Sequence, residues 1–189
     1  MAATVYPRVR HDRVASGLRP PRWTIPLLGP RVRASAGLTV LTAVGLACAV
    51  WGPSGPVSWL PLFGLACVVL STLVHEGAHA WAAHNLGYRV EWVVLGGLAG
   101  VTAYFGRDDR PLERAAVALA GPAASAALVL GLLGLRATMG GGTAAALVET
   151  ALAANVVALV ANMVPFGHTD GAHLLRGLAD HASEAPRRR

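Results

Sequence analysis

The sequence has few charged residues, no lysine and only two cysteines. Charged side chains make up 14% of the 189 residues, whereas an average soluble domain carries about 25%. All 16 basic residues are arginine, and most lie near the two ends, so we do not expect a nucleic-acid-binding protein. Cys48 and Cys67 lie in apolar runs, where small packing residues are expected and a disulfide is not. With 54% hydrophobic residues, the composition indicates a membrane protein.

Four apolar runs are long enough, or nearly so, to cross a bilayer. They are 34–51, 57–86, 114–135 and 143–164. A signal peptide is the competing interpretation of the first run, but the basic segment before it is long for that and another run follows at once. The sequence therefore predicts an all-α polytopic membrane protein with about four transmembrane helices.

The segment 90–106 is apolar but is a poor candidate for a spanning helix. It holds four glycines together with the strand-forming residues Val, Thr, Tyr and Phe, a composition typical of strand–turn–strand. Backbone of this kind is tolerated at membrane depth only against protein or a water-filled cavity. We therefore expect a short re-entrant β-hairpin that does not cross the membrane.

Four spans place both termini on the same side of the membrane. The expected divisions are a basic, loosely structured tail at 1–33, a transmembrane domain at 34–182 and a basic end at 183–189. Because arginine-rich segments stay on the cytoplasmic side, we expect a multi-pass membrane protein with cytoplasmic ends. Both termini and the loop 107–112 would face the cytoplasm, and the runs 57–86 and 143–164 would end at the same membrane face.

The second run carries the motif His75-Glu76-Gly77-Ala78-His79. Residues four apart share a helix face, so His75 and His79 are placed to bind one metal ion, with Glu76 beside its open position. Ionisable groups inside a bilayer cost roughly 2.5–3.5 kcal/mol each, so they are seldom without function. The motif predicts a metal-dependent enzyme that works within the bilayer.

A catalytic zinc site needs a third protein ligand and an open position for water. Asp170 is the main candidate, because it follows Pro165 and a short loop at the end of the fourth run. Gly171 is expected to allow a tight turn next to this ligand. His168, two residues earlier, is the competing candidate. The other histidines expected at the membrane interface or in solvent are His84, His173 and His181.

Two segments resemble the site-2 protease family of intramembrane zinc metalloproteases. HEGAHAWAAHNLG at 75–87 matches the family pattern HExxHAxxAxxxG, and NMVPFGHTDG at 162–171 matches NxxPxxxxDG. Their order, and the single span between them, also agree with the family. The resemblance covers about 57–176.

This resemblance implies a zinc metalloendopeptidase that hydrolyses peptide bonds in or near transmembrane segments of membrane proteins. One Zn²⁺ per chain would be held by His75, His79 and Asp170, and Glu76 would be the catalytic general base. The hairpin would hold the unwound substrate as an added strand. The expected partners are a transmembrane protein substrate, the lipid bilayer and a regulatory membrane partner, and not nucleic acid.

The group that stabilises the oxyanion is left open by the sequence. The segment 120–125 (AGPAAS) resembles a family segment that usually ends in Asn, and Ser125 stands in that position. Ser125 and Asn162 are both candidates for stabilising the oxyanion or positioning the substrate. Close helix packing through small residues is the simpler interpretation of 120–125.

Two other functions fit parts of the sequence. A family member that has lost proteolysis would act as a membrane scaffold, but it would not need Glu76. A metal transporter would also use intramembrane His and Asp residues, but it would need polar residues along a whole path, and the first three helices offer few. The protease hypothesis is therefore preferred.

Overall fold

The computed structural model describes residues 24–26, 31–51, 60–95, 100–105 and 110–184. In chain order, the elements in these ranges are β1 Thr24–Pro26, β2 Arg31–Ala34, α1 Ala36–Trp51, α2 Leu60–Asn85, β3 Arg89–Leu95, β4 Gly100–Phe105, α3 Pro111–Ala137, α4 Thr143–Met163 and α5 Asp170–Glu184. The predicted helical class with a β-hairpin is confirmed.

Three of the described helices, α2, α3 and α4, are long and apolar enough to cross a membrane. Helix α1 is also apolar but has only 16 residues, about 24 Å at 1.5 Å per residue against a hydrocarbon core of about 30 Å. Large apolar side chains on these helices face outward; Leu70, Leu130 and Val157 are each more than 60% exposed. Such uncovered apolar surface is typical of helices that contact lipid.

The predicted hairpin at 90–106 is present as β3 and β4, which pair antiparallel with Val94 opposite Val101. It belongs to a four-stranded sheet in the order β1-β2-β3-β4, in which β2 runs parallel to β3. The expectation of a loosely structured tail is therefore wrong for 24–26 and 31–33. Strand β2 pairs with β3, about 60 residues later, and β1 pairs with β2. The composition of these residues does not reveal such pairings. Among the described strands, β4 is left as an open edge.

Helix α3 contacts α2, α4 and α5 and so lies at the centre of the helical packing. Helix α5 was not predicted by the sequence analysis. It packs on the start of α3 through Gly177, where a Cβ would lie 2.8 Å from the carbonyl oxygen of Pro111. An ion pair of 2.9 Å between Arg114 and Asp180 joins the same two helices. This contact fixes the position of the first residue of α5, Asp170.

Candidate metal centre

Helix α2 turns three ionisable side chains toward the protein interior. His75, Glu76 and His79 are all buried, with at most 4% of each residue exposed. The spacing of four residues puts the two histidines on one face. Their rings meet edge to face, with centroids 4.8 Å apart. The helix face predicted from the motif is therefore present, and it points away from lipid.

Asp170 reaches the histidines through a short, well-defined turn after α4. The backbone leaves that helix at Val164 with an extended ψ of 123°, and Gly167 takes a left-handed φ of 64° that glycine favours. The backbone N–H of Ala172 donates to the Thr169 hydroxyl at 3.3 Å, which caps the first turn of α5. Asp170 is the first residue of that helix and is completely buried.

Gly171 has a different role from the predicted one. It is the second residue of helix α5, so the prediction of a tight turn at this position is wrong. A Cβ here would overlap the carbonyl group of Met163 at the end of α4. Glycine is required because the two helix ends approach each other too closely for a side chain, and the left-handed turn falls at Gly167 instead.

The ligand atoms of His75, His79 and Asp170 all lie within 4.8 Å of one another. Nε2 of His75 is 2.9 Å from Oδ2 of Asp170, and Nε2 of His79 is 3.3 Å from Oδ1. The two Nε2 atoms are 3.2 Å apart. Ligands about 2.05 Å from a tetrahedral zinc ion would be separated by about 3.3 Å, so the spacing fits that ion.

The carboxylate of Asp170 is held in the ionised form that a metal ligand requires. Burial raises the pKa of Asp170, but the adjacent imidazoles of His75 and His79 outweigh burial and hold the pKa at about 2. At neutral pH this group therefore carries the negative charge that would balance part of a divalent cation's charge.

Helix α3 meets the ligand atoms at a position without a side chain. A Cβ at Gly121 would overlap Nε2 of His79 and lie 2.7 Å from Nε2 of His75. Any larger residue would fill the space on which the ligand atoms converge. The segment 120–125, interpreted as a close-packing segment, therefore also leaves room for an ion.

The other ring nitrogen of each histidine contacts α3. Nδ1 of His79 lies 2.7 Å from the carbonyl oxygen of Val117. Because a carbonyl only accepts, this Nδ1 carries the proton, and Nε2 keeps its lone pair for a metal. Nδ1 of His75 lies 2.9 Å from Oγ of Ser125. The role of Val117 could not be predicted from the sequence, because every residue has a backbone carbonyl, whatever its side chain.

Glu76 is held by the β-hairpin. The Thr102 hydroxyl on β4 lies 2.7 Å from Oε2 of Glu76, and a Cβ at Gly100 would overlap the Glu76 carboxyl group. Oε1 is buried and has no hydrogen-bond partner among the described residues. One carboxylate oxygen is thus anchored, and the other remains available to accept a proton. Neither Thr102 nor Gly100 was singled out by the sequence.

A cavity of about 710 Å³ opens beside the metal-ligating group. Its walls come from α2 and α4 and are mainly apolar, and His75, Ser125 and Asn162 also line it. Asn155, a further lining residue, is 2% exposed and donates to the carbonyl of Ala151 at 2.8 Å. In the sequence, Asn155 could have been singled out as an amide side chain within an otherwise apolar run. Both predicted oxyanion candidates, Ser125 on α3 and Asn162 on α4, thus line the cavity.

The remaining histidines in the part of the chain that the structure describes lie outside the metal-ligating group. His84, His168 and His181 are exposed. His173 is 6% exposed, so the prediction that it is solvated is wrong. Burial, and to a lesser extent the nearby Arg176, lowers the pKa of His173 to about 4.

No protein-family model matches the chain. Among curated proteins it is similar to "Putative zinc metalloprotease Rip3" from the Erdman and H37Rv strains of Mycobacterium tuberculosis, with 35% identity over 132 residues. The match covers 67% of this chain and 34% of the relative, so the chain spans about a third of the length of the curated relatives it matches. Among solved structures, the fold is similar to a site-2 protease from Methanocaldococcus jannaschii, with a TM-score of 0.68 and 19% identity. That likeness covers 84% of this chain and 73% of the archaeal chain.

Proposed function

Because this chain belongs to the site-2 protease family, we propose that it is an intramembrane zinc metalloprotease that hydrolyses peptide bonds in or near transmembrane segments of other membrane proteins. The observation that carries the proposal is the buried group of His75, His79 and Asp170, with Glu76 beside it, among helices long and apolar enough to cross a membrane. Three protein ligands are the usual complement of a catalytic zinc site.

The reaction assigns a separate task to each side chain. A zinc ion in this site would polarise water and the scissile carbonyl. Glu76 accepts the proton of the attacking water on its free Oε1 and returns it to the leaving amine. Asn162, which lines the cavity, would donate its amide N–H to the oxygen of the tetrahedral intermediate.

The substrate is a transmembrane segment that has lost its helical hydrogen bonds. The cavity volume is within the range of small-molecule and peptide sites, and its apolar walls suit side chains that arrive from a bilayer. Strand β4 is an edge among the described strands, so an extended substrate can add to it as a further strand. Gly100 and Thr102 on β4 contact Glu76, so the added strand would run beside the base.

The proposed location is the bacterial plasma membrane, with both termini and the loop 107–112 in the cytoplasm. The chain's apolar helices and its family support a membrane location. The orientation follows from the arginine-rich ends and from the positive-inside preference. A membrane protein that presents or withholds the substrate would regulate cleavage.

Comparative membrane proteomics of cells carrying native or Glu76→Gln protein tests this function. The amide keeps the shape of the carboxyl group but cannot accept the water proton. We expect uncut membrane proteins to accumulate in the Glu76→Gln cells and their fragments to disappear. The matched control is Glu149→Gln, since Glu149 is exposed and pairs with Arg136 near the α3–α4 loop. Identical fragment patterns in the native and Glu76→Gln cells would reject proteolysis and favour the scaffold function.

A further inference from the structure

Three positions of α3, each four residues after the last, face the two histidines. Val117 offers its carbonyl oxygen to His79, Gly121 leaves space at the ligand atoms, and Ser125 offers its hydroxyl to His75. Residues four apart lie on one helix face, so a single stripe of α3 supports both histidines. The Ser125 contact is buried on both sides.

The two support contacts differ in what they determine. The Val117 carbonyl can only accept, so it fixes the tautomer of His79 whatever else surrounds the ring. A serine hydroxyl both donates and accepts. The tautomer of His75 therefore depends on whether Ser125 accepts a hydrogen bond from Nδ1 or donates one to it. If Nε2 of His75 is to bind a metal, Nδ1 must carry the proton and donate a hydrogen bond to Ser125 Oγ.

Ser125 meets the His75 ring on the edge opposite the ligand atoms. Its Oγ contacts Nδ1, whereas Nε2 faces Asp170 and His79. The imidazole therefore lies between the hydroxyl and the ligand group where an oxyanion would form. A donor that stabilises an oxyanion must lie about 2.7–3.1 Å from that oxygen, and this hydroxyl is turned toward a histidine instead.

We propose that Ser125 is a positioning residue for His75, that its hydroxyl oxygen accepts a hydrogen bond from Nδ1 so that Nε2 faces the metal, and that it is not the oxyanion donor. The inference rests on the proposed zinc function of the same site. The oxyanion contact is then assigned to Asn162. Ser125 is expected to control the affinity for the metal and not the turnover at saturating zinc. Partners of metal-binding histidines typically contribute about 10–100-fold in metal affinity.

The test is the zinc dissociation constant of the purified full chain in detergent, measured by competition with a chromophoric chelator. We expect Ser125→Ala to weaken zinc binding about 10–100-fold and Ser125→Thr, which keeps the hydroxyl, to recover most of it. Ser71→Ala is the matched control, because among the described residues the Ser71 hydroxyl donates only to the Cys67 carbonyl of its own helix, at 2.6 Å. It should retain native affinity. The absorption spectrum of the cobalt-substituted protein should change in Ser125→Ala and not in Ser71→Ala.

Measurements of turnover distinguish the role of Ser125 from that of Asn162. At saturating zinc, Ser125→Ala should keep its kcat within about tenfold of native, whereas Asn162→Ala should keep native zinc affinity and lose about 10²–10³ in kcat. Native zinc affinity in Ser125→Ala, or a kcat loss of that size at saturating zinc, would overturn the assignment. A native chain that binds no zinc would instead reject the proposed function itself.

Discussion

The hydroxyl of Thr102 donates to Oε2 of Glu76 at 2.7 Å and also lies 3.2 Å from the backbone carbonyl of Glu76. The two residues belong to different elements, the edge strand β4 and the helix α2. Both are 1% exposed. The hairpin therefore does more than cover the site: it fixes the carboxylate proposed as the general base.

Thr102→Val should lower kcat about 10–100-fold without changing zinc affinity. The substitution keeps the side-chain shape and removes a hydrogen bond to a charged group, a contribution of about 1.5–3 kcal/mol. Thr102→Ser should restore most of the rate. Steady-state kinetics on a reconstituted transmembrane substrate provide the measurement. Thr150→Val is the control, because within the described ranges that hydroxyl bonds only the Ala146 carbonyl of its own helix. An equal loss in both valine variants would refute a specific role for Thr102.

Zinc binding should depend on His75, His79 and Asp170. We expect one zinc per native chain, none in His75→Ala or His79→Ala, and weakened binding in Asp170→Asn, because three ligands from two helices complete the site. Elemental analysis of the purified variants measures this. His84→Ala, an exposed histidine on the same helix, should bind zinc like the native chain. Full zinc retention in Asp170→Ala would move the third ligand to His168.

Gly121→Ala should abolish zinc binding, because its methyl group would overlap Nε2 of His79. The matched control is Gly131→Ala on the same helix, where a Cβ meets no atom within 4 Å. There the substitution should leave zinc content unchanged and stabilise the helix by up to about 1 kcal/mol. Zinc content and the unfolding temperature of both variants are the measurements. Native zinc content in Gly121→Ala would show that α3 does not contact the metal site this closely.

Both termini and the loop 107–112 should be accessible from the cytoplasm. Single cysteines at Val5, Asp109 and Ala185, in a chain without Cys48 and Cys67, can be labelled with a membrane-impermeant reagent. We expect all three to label only after the membrane is opened. Labelling of position 109 from outside, with position 5 protected, would mean that 90–106 crosses the membrane. A crossing would separate Asp170 from the histidines by about 30 Å, in conflict with their contact.

Several features of this protein follow from local sequence alone. The apolar runs predict the helices because a segment that crosses a bilayer must satisfy its backbone polar groups with its own helical hydrogen bonds. The spacing of His75 and His79 predicts a shared face because the helical period is fixed. The glycines and strand formers of 90–106 predict the hairpin. Each of these depends on residues within a single segment.

The tertiary structure alone decided which groups surround the site. Ser125 is 50 residues from His75, Val117 is 38 residues from His79, and Thr102 is 26 residues from Glu76. The same holds for the pairing of β1 and β2 with the hairpin and for the burial of His173, a residue of α5. The sequence pattern records the periodicity within an element, whereas these contacts depend on how separate elements pack. The ligand types were therefore readable in the sequence, but the groups that orient them were set by the packing of α3 and the hairpin against α2.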